Sequence, residues 1–269
     1  MEFTPEQLLE NWDIFMSNIE NHISEPRQTK LSEFYRNLED RLVTYPASHK
    51  PQYHNCMVGG YIDHVNRVVK ASLSIYTVWE QFGVDTTTFT KEELVFAAIN
   101  HDLGKIGDLE HDAYIPQTDE WRKKKLDEHY TFNTKLPFAS VPDRGLFLLQ
   151  QAGIPYTFNE MIGIQVHDGL YDEANKKYYI GWAPEQKFRT SMPFILHQAD
   201  LLAARIEFEK EWLPKFKDTS KNNVDIAKKP FILNTNSKKT TTSSKAMKGI
   251  QSKGLNSALS SMLDNISDD

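Results

Sequence analysis

Apolar residues recur at steps of three and four, in capped segments, from residue 8 to about residue 213, and that rhythm confines most of the chain to helices. Thr4 caps the first segment, with Pro5 at the first helical position and Gln7 three residues beyond the cap. Leu8, Trp12, Phe15, Ile19 and Ile23 then form one stripe. A second helix is predicted from Pro26 through Leu31, Phe34, Tyr35, Leu38 and Leu42, ending before Tyr45-Pro46. A third runs from Gly59 to Phe82 and stops at Gly83. Thr90-Lys-Glu-Glu is a capping box that opens Leu94 to Asn100, apolar almost all round and therefore predicted to be central. Weaker helical patterns cover 119–134, 142–152, 157–167 and 190–212. Lys176-Lys-Tyr-Tyr-Ile180 is expected to pair with Ala113-Tyr-Ile115 as a small hairpin.

Beyond Trp212-Leu-Pro214 the composition changes. Residues 215 to about 253 are Lys, Ser, Thr and Asn with few aromatics, too polar to offset the entropy of ordering, and a disordered basic tail is predicted. The tail holds an isolated apolar tetrad, Pro230 to Leu233, and ends in an amphipathic segment, 255–266, that suits docking on a protein partner or folding back on its own domain. The organisation read from the sequence is a helical segment over 1–45, a main domain over 46–214 and the tail over 215–269.

Charge sharpens that division. The whole chain carries −6, but residues 215–269 hold ten Lys against five Asp, so the body stands near −11. A body this acidic needs a metal ion or a local basic cluster to hold a phosphate-bearing ligand. Cys56 is the only cysteine, which excludes an intrachain disulfide and a cysteine-based zinc site. No stretch approaches the roughly 18 to 20 apolar residues of a membrane span, and the first residues lack a basic-then-apolar leader; a cytoplasmic protein with no membrane partner is expected.

The chemistry concentrates in histidine and aspartate. His-Asp occurs at 101–102, 111–112 and 167–168, more often than random pairing of nine His and 18 Asp gives. His101-Asp102 closes the most apolar helix, where a charged pair is costly unless partnered or metal-bound. Gly104 then lets the backbone turn, and Lys105 is left to meet an anion. His64 and Asp200 lie inside apolar helices; each alone suits a core hydrogen bond as well as a ligand. Together the four offer nitrogen and oxygen donors suited to Mn, Fe, Co, Ni or Zn. His111-Asp112 reads as loop, and Arg122 to Lys125 as a solvated helix face.

The order His64, His101-Asp102, Asp200 resembles the HD-domain metal-dependent phosphohydrolase superfamily. Tyr53-His54-Asn-Cys-Met-Val-Gly-Gly-Tyr-Ile-Asp-His64 resembles the YHH…GGLLEH signature of the YhaM-type exoribonuclease branch, His101-Asp-Leu-Gly-Lys105 its HDIGK, and His197-Gln-Ala-Asp200 its HxAD. The resemblance spans about residues 50–210 and implies an all-α HD-domain bundle. It implies one or two divalent ions, Mg included, that activate a water for attack on a nucleotide or nucleic-acid phosphoester. His64, His101, Asp102 and Asp200 hold the first ion; His129, His167 and Asp168 are the candidates for the second, with Asp168 standing where that branch has histidine. Asp102, Lys105, His54 and Arg67 are the implied catalytic set. The first 45 residues read helical, so the OB-fold domain of that branch has no counterpart. Two other functions fit the same residues: a di-iron oxygenase of the myo-inositol oxygenase kind, and a metal-stabilised adaptor that recruits a partner through its tail.

Overall fold

The computed structural model describes residues 3–219, which belong to one unit. They form an all-α fold with a single two-stranded hairpin. Among these residues no helix is long and apolar enough to cross a membrane. The predicted tetrad 230–233, the amphipathic segment 255–266 and the rest of the predicted tail beyond 219 lie outside the described residues.

The chain opens with α1 (Pro5–His22), α2 (Arg27–Arg36) and α3 (Glu39–Leu42). The capping box of α1 forms as the sequence indicates: Gln7 N–H donates to the Thr4 hydroxyl (3.3 Å) and Thr4 N–H to the Gln7 side chain (2.9 Å). Trp12, Phe15, Ile19 and Ile23 are buried along its stripe. The second predicted helix is divided in two. Leu38 leaves the helical well at φ −111°, ψ 4°, its N–H donating to Tyr35 three residues back, yet Leu31, Phe34, Tyr35, Leu38 and Leu42 all stay buried.

Two long helices frame the molecule, α4 (Gly60–Gln81) and, at its end, α10 (Met192–Thr219), which pack along each other. Between them α5 (Lys91–Asn100) is the buried centre, touching α1, α4, α8 (Phe158–Val166) and α10. All seven residues from Leu94 to Asn100 are buried, and Leu94, Val95, Phe96 and Ile99 contribute about 1.5–3 kcal/mol each as an upper estimate. The N-terminal helices therefore pack on the main domain. Tyr35 of α2 donates to Asn100 (2.9 Å), the residue directly before His101.

The hairpin is built differently from the sequence expectation. Tyr114–Pro116 (β1) pairs antiparallel with Tyr130–Phe132 (β2), opposite ends of an excursion that carries α6 (Glu120–Leu126). The helix expected over 119–134 stops early because Asp127 turns left-handed (φ 55°) and its N–H caps back onto Arg122. The expected strand at 176–180 is a helical turn, α9 (Lys176–Tyr179), pinned to α8 by the Tyr179 hydroxyl donating to the Val166 carbonyl (3.0 Å). At the other end, α10 runs to Thr219, past the 190–212 of the sequence pattern; Pro214 removes one N–H donor from it.

Gly104 lies in the turn the sequence implied and also permits a close contact there. A Cβ there would lie 2.0 Å from the Val141 carbonyl, because α7 (Val141–Gln151) rests directly on the Leu103–Ile106 turn. The left-handed turn belongs to Gly107, at φ 100°.

Candidate metal centre

Two helices end in the same way. α5 closes on His101-Asp102 and α8 on His167-Asp168. Each histidine keeps helical dihedrals and donates its Nδ1 hydrogen to the carbonyl three residues back, His101 to Ala98 and His167 to Ile164, both at 2.8 Å. That bond fixes the tautomer and leaves each Nε2 with a free lone pair. His64, in the second turn of α4, reaches the same state by another route: its Nδ1 donates to Glu207 of α10 (3.0 Å).

The three Nε2 atoms converge on carboxylates. His64 Nε2 lies 3.2 Å from Asp200 Oδ1 and 3.4 Å from Asp102 Oδ2. His101 Nε2 lies 3.3 Å from His64 Nε2 and 3.3 Å from Asp102 Oδ2. His167 Nε2 lies 3.6 Å from Asp102 Oδ1 and 3.7 Å from Asp168 Oδ2. Ligand atoms about 2.0–2.2 Å from one cation are about 3.0–3.5 Å apart for right-angle to tetrahedral geometry, so the nearer of these spacings are those of a cage. Four overlapping triads bring one ligand atom from each residue within 4.8 Å of the others, and together they contain His54, His64, His101, Asp102, His167, Asp168 and Asp200.

Electrostatics agree with the spacing. His64, His101, Asp102 and His167 are almost wholly buried, and Asp102 Oδ1 has no hydrogen-bond partner. A buried carboxylate oxygen facing nitrogen lone pairs is unfavourable unless positive charge lies between them. Protons respond to the same demand. Burial alone would lower His64, but Glu207, Asp102 and Asp200 outweigh it and hold it well above the ordinary histidine value. Burial likewise opposes His167, yet Asp168 and Asp102 raise it to about 9. Burial would raise Asp102, and Lys105 with His101 pulls it well below the carboxylate range. The residues fit a divalent cation, which would compete with protons for these lone pairs.

Around the cage, Lys105 donates to Asp102 Oδ2 (2.6 Å), and its Nζ is 3.4 Å from His54 Nε2. The His54 ring stacks on His64 at 4.4 Å between centroids. Burial, with His64 and Lys105 nearby, pushes His54 well below its usual value and keeps it neutral. Asp168, about half exposed, marks the opening.

Two expected residues stand elsewhere. His129 is not in the cage: it precedes β2, its side chain is 61% exposed, and its Nε2 pairs with Asp127 (2.9 Å), because order along the chain placed it there without bringing it inward. Arg67 is held by two carboxylates. Its Nε donates to Glu207 (2.9 Å) and its Nη2 to Asp63 (2.7 Å), so it supports the carboxylate that orients His64. The Arg122 to Lys125 run is a solvated face, with Arg122 paired to Glu128 and Lys123 to Glu120.

Glu207 was not singled out in the sequence, although it lies seven residues after Asp200 and so on the same face of α10. It is 1% exposed, and its bond to His64 Nδ1 is of the kind that orients a metal-binding histidine. Glu207→Gln is expected to weaken metal binding about 10- to 100-fold while the chain stays folded, measured by titrating apoprotein with Mn against a competing chelator. Comparison with family models, with curated proteins and with solved structures found no match.

Proposed function

We propose that this protein is a metal-dependent phosphohydrolase of the HD-domain kind, acting on a nucleotide or nucleic-acid phosphoester. One observation carries the reading: side chains from α4, α5, α8 and α10, far apart in sequence, bring their donor atoms to one buried cage in the order His64, His101-Asp102, His167-Asp168, Asp200. A divalent ion held there supplies a Lewis acid and lowers the pKa of a coordinated water. Lys105, kept protonated beside Asp102, sits at the edge of the cage to offset phosphate charge. Neutral His54 accepts a hydrogen from Lys105 and holds that ammonium in place.

The test is elemental analysis of the full chain purified without chelator, beside a panel of nucleotide and oligonucleotide phosphoesters with added Mn. Retained divalent metal and Mn-dependent release of phosphate or nucleotide are expected. Hydrolysis that falls steeply with salt would identify a polynucleotide substrate, and a shallow dependence a free nucleotide. The pairing of His167 with Asp168 beside a shared Asp102 also supports a di-iron oxygenase reading. Iron at two per chain with oxygen uptake, and no phosphoester cleavage, would replace the hydrolase by that reading.

A further inference from the structure

Away from the metal cage, a cavity of about 550 Å³ lies between the start of α8 and the segment leading into α10. That volume falls in the range of small-molecule sites. Its apolar surface has two sources. Phe158, 73% exposed, and Ile162 come from α8; Tyr178 and Phe188 come from α9 and the following loop. The Tyr178 and Phe188 rings are parallel, 6.0 Å between centroids, and Phe188 is held edge-on by Tyr179 and Phe194, each at 5.4 Å. One wall is thus a rigid aromatic platform and the other an uncovered phenyl ring.

The polar lining is unbalanced. Lys177, Lys187 and Arg189 border the cavity against a single acid, Glu185. Lys177 rests over the Tyr178 ring at 5.0 Å, and among the described residues none of the three cations has a carboxylate within ion-pair distance. The neighbouring Lys176, by contrast, is paired with Glu173. Unpaired cations beside stacking surfaces suit a planar ring carrying negative charge.

We infer that this cavity is a second ligand site, separate from the metal cage, for an aromatic anion of nucleotide size, a nucleoside phosphate whose base stacks on the Tyr178–Phe188 platform and whose phosphates meet Lys187 and Arg189. Glu185 is the acceptor available to a ribose hydroxyl or an exocyclic amine.

The experiment is calorimetric titration of the full chain with ADP in chelator-containing buffer, which keeps the cage free of metal. Saturable binding of one ADP per chain is expected. The double variant Lys187→Glu/Arg189→Glu, both exposed, should weaken it about tenfold or more, and Phe158→Ala about threefold or more. Asp200→Asn, which alters the cage at constant shape, should leave it within about twofold. Absence of saturable binding up to about 5 mM ADP overturns the proposal. So does binding indifferent to the charge reversals, or binding lost in Asp200→Asn, which would move the nucleotide to the cage. None of these outcomes bears on whether the cage hydrolyses phosphoesters.

Discussion

Asp102→Asn is expected to abolish metal retention and to lower Mn-dependent phosphoester hydrolysis by about 10³-fold, close to 4 kcal/mol of barrier. The size follows from the position of the two carboxylate oxygens. Oδ2 lies 3.3–3.4 Å from His101 and His64, and Oδ1 lies 3.6 Å from His167, so one side chain serves both halves of the cage. An amide of the same shape keeps an oxygen toward one half only and brings an N–H toward a nitrogen lone pair on the other. Metal content by mass spectrometry of the purified variant, beside its hydrolysis rate, is the measurement. Activity within tenfold of the parent would remove Asp102 from the centre of the mechanism.

Arg27→Leu is expected to destabilise the fold by about 3–5 kcal/mol although it lies far along the chain from every cage residue. Arg27 Nη1 donates to both oxygens of Glu160 (2.7 and 2.8 Å), and Nη2 donates to Glu92 (2.6 Å), while the guanidinium lies 4.4 Å over the Phe96 ring. The Glu160 side chain is 0% exposed, so losing Arg27 strands a buried carboxylate. Burial already lifts the Glu160 carboxyl to about 6 from an ordinary 4.5 in spite of Arg27. Without the arginine it rises further. A native carboxyl raised above its unfolded value binds its proton more readily in the folded state, so stability falls as pH rises through that window. The variant's deficit should therefore be largest above neutrality and shrink toward pH 5, read from urea midpoints at both pH values. Arg27→Leu/Glu160→Leu should recover most of the loss; if it does not, lost packing rather than a stranded charge is the cause.

What the sequence disclosed, and what it withheld, follows from how far each signal reaches. Caps and apolar stripes are local, and α1, α4 and α5 stand where Thr4, Gly59 and Thr90 place them. His101-Asp102 was legible because charge at the end of an all-apolar helix needs a partner, whatever the rest of the fold. The hairpin was misplaced because its register depends on Asp127 adopting a left-handed turn, a choice that strand propensity does not report. The division of α2 from α3 preserves the same apolar spacing and so leaves no mark in periodicity. His129 and Glu207 err in opposite directions. One has the expected place in chain order and points to solvent; the other is one acid among 37 Asp and Glu and becomes visible only when α4 lies against α10.

The paired helix endings have a consequence for the sequence of events at the cage. α5 and α8 both direct their carboxyl-terminal poles, the negative ends of their dipoles, toward the space that Asp102, Asp168 and Asp200 surround. Without a cation, that negative field is offset by Lys105 beside Asp102 and by protons on His64 and His167, both held above the ordinary histidine value. On the proposed reading, a cation entering the cage would take over the role of those two protons, and its arrival would be coupled to their release.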